Sequence, residues 1–176
     1  HKWSNEYLRK RAGQQAVMVE ERADGHRAFG RGQEVEMAFG DFLSKMEAGN
    51  DRYYLTTQDL DEDEHGQPHI TSPPVTQLLG DIPLRPRLLP SLIPQNINVW
   101  FGCTKAHSSS GLHHDFHDNL YILLRGSKRF RLFSPADAER LYLSGPLAMV
   151  HPNGRICYEG QLTHADGSDR AAVAAM

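Results

Sequence analysis

The sequence predicts a mainly β fold, an antiparallel sheet with helices packed outside it, and three local patterns carry that prediction. From Asn96 onward Ile97, Val99 and Phe101 alternate with Asn98, Trp100 and Gly102, the period of a half-buried strand. Residues 113–124 and 128–133 read as two more strands, joined by Arg125-Gly126-Ser127 as a tight hairpin connection. Between residues 33 and 48, Val35, Phe39, Phe42, Leu43 and Met46 fall on one face of a helix, and Gly49-Asn50 supplies a left-handed stop. A helix followed by strands joined through tight turns gives antiparallel sheet with flanking helices.

The remaining elements follow from local chemistry. Trp3 to Arg11 is a polar and aromatic lead-in, and the Gly-, Arg- and Glu-rich stretch after it reads as loop, so residues 1–32 are expected to form an arm and residues 33–176 the domain. Arg52 to Thr57 is aromatic and β-branched, a strand by propensity. Asp59 to Glu64 reads as a solvated acidic turn. The segment from Ser72 to Pro94 holds six of the ten prolines, which excludes regular sheet; a covering segment with a short helix at Val75 to Leu79 is expected. Ser134 and Pro135 open a helix as N-cap and first helical residue, with Asp137 at the box position; Ala138, Leu141 and Tyr142 are its apolar residues, and Gly145-Pro146 ends it.

A chain of 176 residues with no internal repeat is one domain long, enough to enclose a core. Its net charge of -3 gives no overall pull toward nucleic acid or an anionic membrane. No apolar run approaches the ~20 residues of a membrane helix. Cys103 and Cys157 stand far apart with no CxxC, which argues against a disulfide scaffold or a cysteine-rich zinc site and fits a reducing compartment, the nucleus or cytoplasm. The chain opens on His1 without a signal-peptide pattern and is read as part of a longer protein.

The densest chemistry lies in the run from Ser108 to Asn119. On a strand, residues two apart share a face, so His113 and Asp115 aim an imidazole and a carboxylate at one point while His114 points away. One further histidine from a distant strand would complete the 2-His-1-carboxylate set of non-haem Fe(II) oxygenases, which leaves open positions for an oxo acid and dioxygen. Alone the pair is a weak signal, since any loop bearing His and Asp can produce it. Continuing the parity, Asn119, Tyr121 and Leu123 face the side of Asp115, and Lys128, Phe130 and Leu132 return along the next strand. Lys128 is then either the inward cation that an anionic cosubstrate requires or, with Arg129 and Arg131, part of a solvated basic run.

The run LHHDFHDNLYILLRGSKRFRLFSPADAERLY, and more weakly MAFGDFLSKMEAGNDRYYLTTQ upstream, resembles the JmjC cupin family and within it the small hydroxylases, nearest the asparaginyl hydroxylase that inhibits hypoxia-inducible factor. The resemblance covers roughly residues 34–160 and is specific over 98–142. It implies a double-stranded β-helix, the jelly-roll cupin, incomplete in this chain, with Fe(II) and 2-oxoglutarate as cofactors. By the same resemblance His113 and Asp115 are two iron ligands, and Lys128 holds the distal carboxylate of 2-oxoglutarate with Ser110 and Tyr54 in support. Asn119 and Tyr121 line that pocket, and Trp100 forms a wall.

One feature of the family pattern is missing. The second iron-binding histidine should follow a segment of the form G-D-x-x-x-x-P-x-x-W-x-H, and none occurs here. His151, in a Pro-Asn-Gly turn, and His164, in a polar stretch, lack strand context, so the third ligand is expected outside the chain. The implied activity is Fe(II)/2-oxoglutarate-dependent oxygenation, first as a protein hydroxylase, then as an N-methyl-lysine demethylase or an RNA-base hydroxylase. The competing class is a non-catalytic cupin binding module. Expected partners are a protein or peptide substrate, with RNA as the alternative, no membrane, and compatibility with a homodimer.

Overall fold

A computed structural model describes residues 2–23, 32–104, 109–113, 115, 119–141, 145, 147–150, 156–160 and 162–164. The first element is helix α1 (Asn5–Ala12), which Ser4 caps by accepting from the Tyr7 N–H, with Glu6 in its first turn and Arg9, Lys10 and Arg11 in its last. Strand β1 (Ala16–Glu21) follows, then β2 (Gln33–Ala38), helix α2 (Phe39–Glu47), β3 (Tyr53–Leu55) and β4 (Phe101–Gly102). These four strands form one antiparallel sheet in the order β2-β1-β3-β4. A separate hairpin pairs β5 (Leu147–Val150) with β6 (Ile156–Tyr158).

Both helices pack on one face of the sheet. Leu8 and Ala12 of α1 and Phe39, Phe42, Leu43 and Met46 of α2 meet Val17, Val19, Tyr53 and Leu55 in a single core, closed by Leu78. Phe42 is its centre: fully enclosed, it stacks on Phe39 with ring centroids 6.1 Å apart and takes the ring of Phe101 edge-on at 5.7 Å. Around the rim Arg9 joins α1 to α2 through Glu47 at 2.8 Å, while Tyr7 and Lys2 both hold the Asp81 carboxyl, binding α1 to a 3-10 helix at Thr76–Asp81. The Gln58 amide completes the β1 edge, accepting from the Met18 N–H and donating to its carbonyl, each at 2.8 Å.

The described residues among the first 32 are no arm. Their α1 and β1 supply four core residues, and β1 is an inner strand bonded on both sides, because Val17 and Val19 alternate with Met18 and Glu20. The helix expected over 33–48 begins only at Phe39; Gln33–Ala38 is strand, where Val35 faces Val19 across the ladder. The stop at Gly49 stands, with φ 68°. Of the strand expected over 96–102 only Phe101–Gly102 joins the ladder, while Ile97 makes a single bond to the Ile70 carbonyl.

The strands expected at 113–124 and 128–133 form no ladder among the described residues. Their alternation needs a facing layer to bury it, and here Leu120, Ile122, Leu124 and Leu132 are all exposed. The turn between them keeps its chemistry, with Gly126 at φ 82°. The last expected helix is a 3-10 turn, Pro135–Arg140, on the anticipated cap: the Ala136 N–H donates to the Ser134 hydroxyl at 3.2 Å. The readings at 151–155 and at Tyr142 and Pro146 lie outside the described residues.

Phe42 therefore carries more of this core than any rim contact. Phe42→Ala is expected to lower unfolding free energy by about 3–5 kcal/mol, whereas Leu132→Ala, at a side chain 88% exposed, should change it by no more than ~0.5 kcal/mol. Urea midpoints for the two variants measure the difference.

Candidate functional site

The sheet has a second face, and the alternation along its strands determines what lies there. With Val19, Tyr53 and Leu55 turned to the helices, Glu20 and Tyr54 turn away, and the register aligns Glu20, Tyr54 and Gly102 in one row across β1, β3 and β4. Gly102 is required in that row. A Cβ built on it would stand 2.6 Å from the Tyr54 ring, so only a bare backbone lets the ring lie across β4.

An aromatic series starts two residues before Gly102, at Trp100. Trp100, on the parity of Gly102, stacks on Tyr121 with centroids 6.4 Å apart and an interplanar angle of 16°. Tyr121 meets Phe130 edge-on at 5.0 Å across the Arg125–Gly126 bend. The Lys128 ammonium lies 5.9 Å from the Phe130 centroid, so Lys128 and Phe130 share a side, as strand parity requires. The structure thus gathers Trp100, Tyr121 and Lys128 around one series of rings, and Tyr54 is near enough to feel the Tyr121 phenol. Lys128 itself is exposed, not enclosed by a barrel wall, as are Tyr121 and Phe130.

Tyr54 is half-buried on this face. Burial first, then the neighbouring Tyr121 phenol and the Glu20 carboxylate, push its hydroxyl up to about 12 against the opposing charge of Arg22. It is therefore a neutral hydroxyl across the physiological range. Glu20 and Arg22, 2% and 8% exposed, are the residues that the sequence reading missed. The Glu20 carboxylate accepts from the Gly32 N–H at 2.8 Å, and the Arg22 guanidinium reaches the Asp51 carbonyl while its Nε has no hydrogen-bond partner among the described residues. The alternation of Val17 and Val19 with Met18, Glu20 and Arg22 was the available signal.

The two expected iron ligands are each oriented by a separate hydrogen bond. His113 Nδ1 lies 3.0 Å from the Gly111 carbonyl, which can only accept, so this nitrogen carries the proton and Nε2 is the one turned to other work. Asp115 accepts from the Asn119 amide at 2.6 Å through one oxygen, leaving the other for a second partner. These are the supports that metal-ligating imidazoles and carboxylates use, and the donor set fits a divalent iron as two of three protein ligands. Among the described residues no three His, Cys, Asp or Glu side chains come together, and His113 and Asp115 both stand exposed. Ser110 is exposed beside this loop and His164 is half-buried, while His114, His117 and His151 lie outside the described residues.

A family model described as a cupin-like domain matches residues 1–172. The chain belongs to the cupin-like JmjC family. It is 40% identical over 166 residues to JmjC domain-containing protein 4 of Schizosaccharomyces pombe, covering 89% of the chain and 35% of that relative, so the chain spans about a third of the relative's length. It is 33% identical over 116 residues to tRNA wybutosine-synthesizing protein 4 of Neurospora crassa, which covers 61% of the chain and 8% of that protein. Over 50 residues it is 38% identical to a lysine-specific demethylase of Arabidopsis thaliana, covering 28% of the chain and 14% of that protein. No solved structure matches the chain. This cupin-like JmjC domain accordingly builds its described sheet antiparallel, with few helices.

The raised Tyr54 hydroxyl has a pH consequence. A phenol that ionises near 10 unfolded and about 12 folded stabilises the fold below pH 10 and loses that contribution as pH rises toward 12. The loss amounts to roughly 2–3 kcal/mol for a two-unit shift. Tyr54→Phe should flatten that part of the alkaline limb, read by urea unfolding at stepped pH.

Proposed function

We propose that the full-length protein is an Fe(II)- and 2-oxoglutarate-dependent oxygenase acting on a protein side chain. The observation that supports this reading is the aromatic series from Trp100 through Tyr121 and Phe130 to Lys128, with the half-buried neutral hydroxyl of Tyr54 near enough to feel Tyr121, since it offers a donor and a cation beside flat apolar walls. A dicarboxylate needs that combination: charge and a donor for its far end, and ring faces along its carbon chain. Lys128, Tyr54 and Ser110 would take the distal carboxylate, and Tyr121 and Trp100 would exclude water beside it.

His113 through Nε2, and Asp115 through the oxygen that Asn119 leaves free, would hold the iron together with a histidine from outside the described residues. When bound, the metal supplies activation of dioxygen coupled to the oxidation of 2-oxoglutarate to succinate and carbon dioxide. The protein's part is orientation: Gly111 fixes the imidazole, Asn119 fixes the carboxylate, and Tyr54 donates a hydrogen bond without changing charge. A protein target is favoured over RNA by the net charge of -3, since phosphate binding depends on clustered cations. N-methyl-lysine demethylation is the second outcome, and RNA-base hydroxylation the third.

The test is succinate release by the iron-loaded full-length protein, with mass spectrometry of candidate peptides. Addition of one oxygen atom supports hydroxylation, release of formaldehyde points to demethylation, and no succinate at full iron occupancy leaves a binding module. His113→Ala and Asp115→Ala should each abolish turnover without unfolding the protein. Lys128→Ala should raise the apparent constant for 2-oxoglutarate by about tenfold to a hundredfold, the roughly 1.5–3 kcal/mol of a hydrogen bond to a charged group made by an exposed lysine. Arg129→Ala and Arg131→Ala should leave it nearly unchanged; equal small effects at all three positions would sink the cosubstrate assignment.

A further inference from the structure

The segment carrying Tyr121 and Lys128 has no strand ladder among the described residues, so its position over the sheet depends on side-chain contacts. One is the stack of Trp100 on Tyr121. The other is made by Arg125, at the bend between the two site residues. Its guanidinium donates to the Trp3 carbonyl at 3.1 Å and to the Asn5 side-chain oxygen at 2.6 Å, and lies over the ring of Phe101 at 5.7 Å from the centroid. Phe101 in turn meets Phe42 in the core and neighbours Gly102, the residue under Tyr54. Glu47, held below the usual carboxylate range chiefly by Arg9 and then Asn5, also feels the charge of Arg125.

Two details mark this contact as more than a surface hydrogen bond. Trp3 has φ 67°, a conformation that is costly for a bulky residue and persists where its surroundings over-determine it. Its carbonyl is one of the two acceptors that Arg125 uses. The contact also needs arginine in particular: one nitrogen serves two acceptors while the planar face rests on a ring, which a lysine ammonium cannot reproduce.

We infer that Arg125 is a positioning residue for 2-oxoglutarate, a latch between the start of α1 and the site-bearing turn that sets where Tyr121 and Lys128 stand relative to Tyr54. The inference rests on the reading of that site as the 2-oxoglutarate pocket. It assigns Arg125 no contact with the cosubstrate, and it makes the N-terminal helix part of the pocket's support.

The experiment is calorimetric titration of 2-oxoglutarate into the full-length protein loaded with Mn(II) under nitrogen, so that affinity is read without turnover, followed by steady-state kinetics with iron. Arg125→Ala should weaken 2-oxoglutarate binding about tenfold, a change of ~1.4 kcal/mol, with metal occupancy unchanged and the loss appearing in KM more than in kcat. Asn5→Ala, at the other end of the latch, should weaken binding several-fold but add nothing in the Arg125→Ala background, and Arg125→Lys should recover only part of the affinity. If Arg125→Ala lowers the melting temperature yet binds 2-oxoglutarate as the unmodified protein does, or if the two losses simply add, the latch is structural and the inference is overturned. Should Arg125→Ala not fold, Asn5→Ala and Arg125→Lys decide by the same criteria. Lys128→Ala separates the two readings: when it weakens binding and Arg125→Ala leaves binding unchanged, only the latch falls, and when the unmodified protein binds no 2-oxoglutarate, both fall.

Discussion

The structure depends on the division of β3 between two faces. Tyr53 and Leu55 turn into the core and Tyr54, between them, turns out of it, so a three-residue strand serves both the packing of the helices and the wall of the site. That division holds only because β1 and β4 flank β3 in register, with Glu20 opposite Tyr54 on one side and Gly102 on the other. A one-residue slip would exchange the faces, putting the Tyr54 hydroxyl against Phe42 and an aliphatic side chain in the pocket. The inner position of β1, bonded to both β2 and β3, makes such a slip costly, because two ladders would have to shift together.

What could be read from the chain before the structure follows the range over which each signal acts. The core face of α2, the Tyr-bearing strand, the stop at Gly49, the glycine of the hairpin turn and the serine cap before Pro135 are local, and each lies where its residues indicate. β2 was absorbed into the helix because Val35, Phe39 and Phe42 are spaced four and three apart, which a helix face also satisfies; the competing alternation of Glu34, Val35, Glu36 and Met37 is only a few residues long. β1 was missed for a different reason. It ends in Glu20 and Glu21 with Arg22 next, a charged run that looks solvated until the fold buries Glu20 and Arg22. The candidate site was legible as residue types and parity, and the series from Trp100 to Lys128 follows that parity. Its enclosure was not, because burial of residues 119–133 is a property of whatever layer faces them.

The same distinction separates stability from chemistry in this cupin-like JmjC domain. The residues that hold the fold, from Leu8 to Leu78, make dense apolar contacts on the helix side of the sheet. Of the residues proposed for binding Tyr54 stands on the other face, and most of the rest are exposed and joined by ring contacts or single hydrogen bonds. The two sets touch at few points, chiefly Phe101 with Gly102 beside it, where a core ring neighbours the backbone under Tyr54.

The order of these elements along the chain bears on synthesis. β1 finds β2 and then β3 within the first 55 residues, and the α1–α2 core closes over nearly the same span, with Leu78 as its last member. Chains fold from the N-terminus as they emerge, in units that can bury their own apolar surface. The β1–β3 part of the wall bearing Tyr54 can thus assemble while β4 and the segment with His113, Asp115 and Lys128 are still inside the ribosome, and that segment then meets a surface already carrying Trp3 and Asn5 as docking points, with Phe101 arriving just ahead of it.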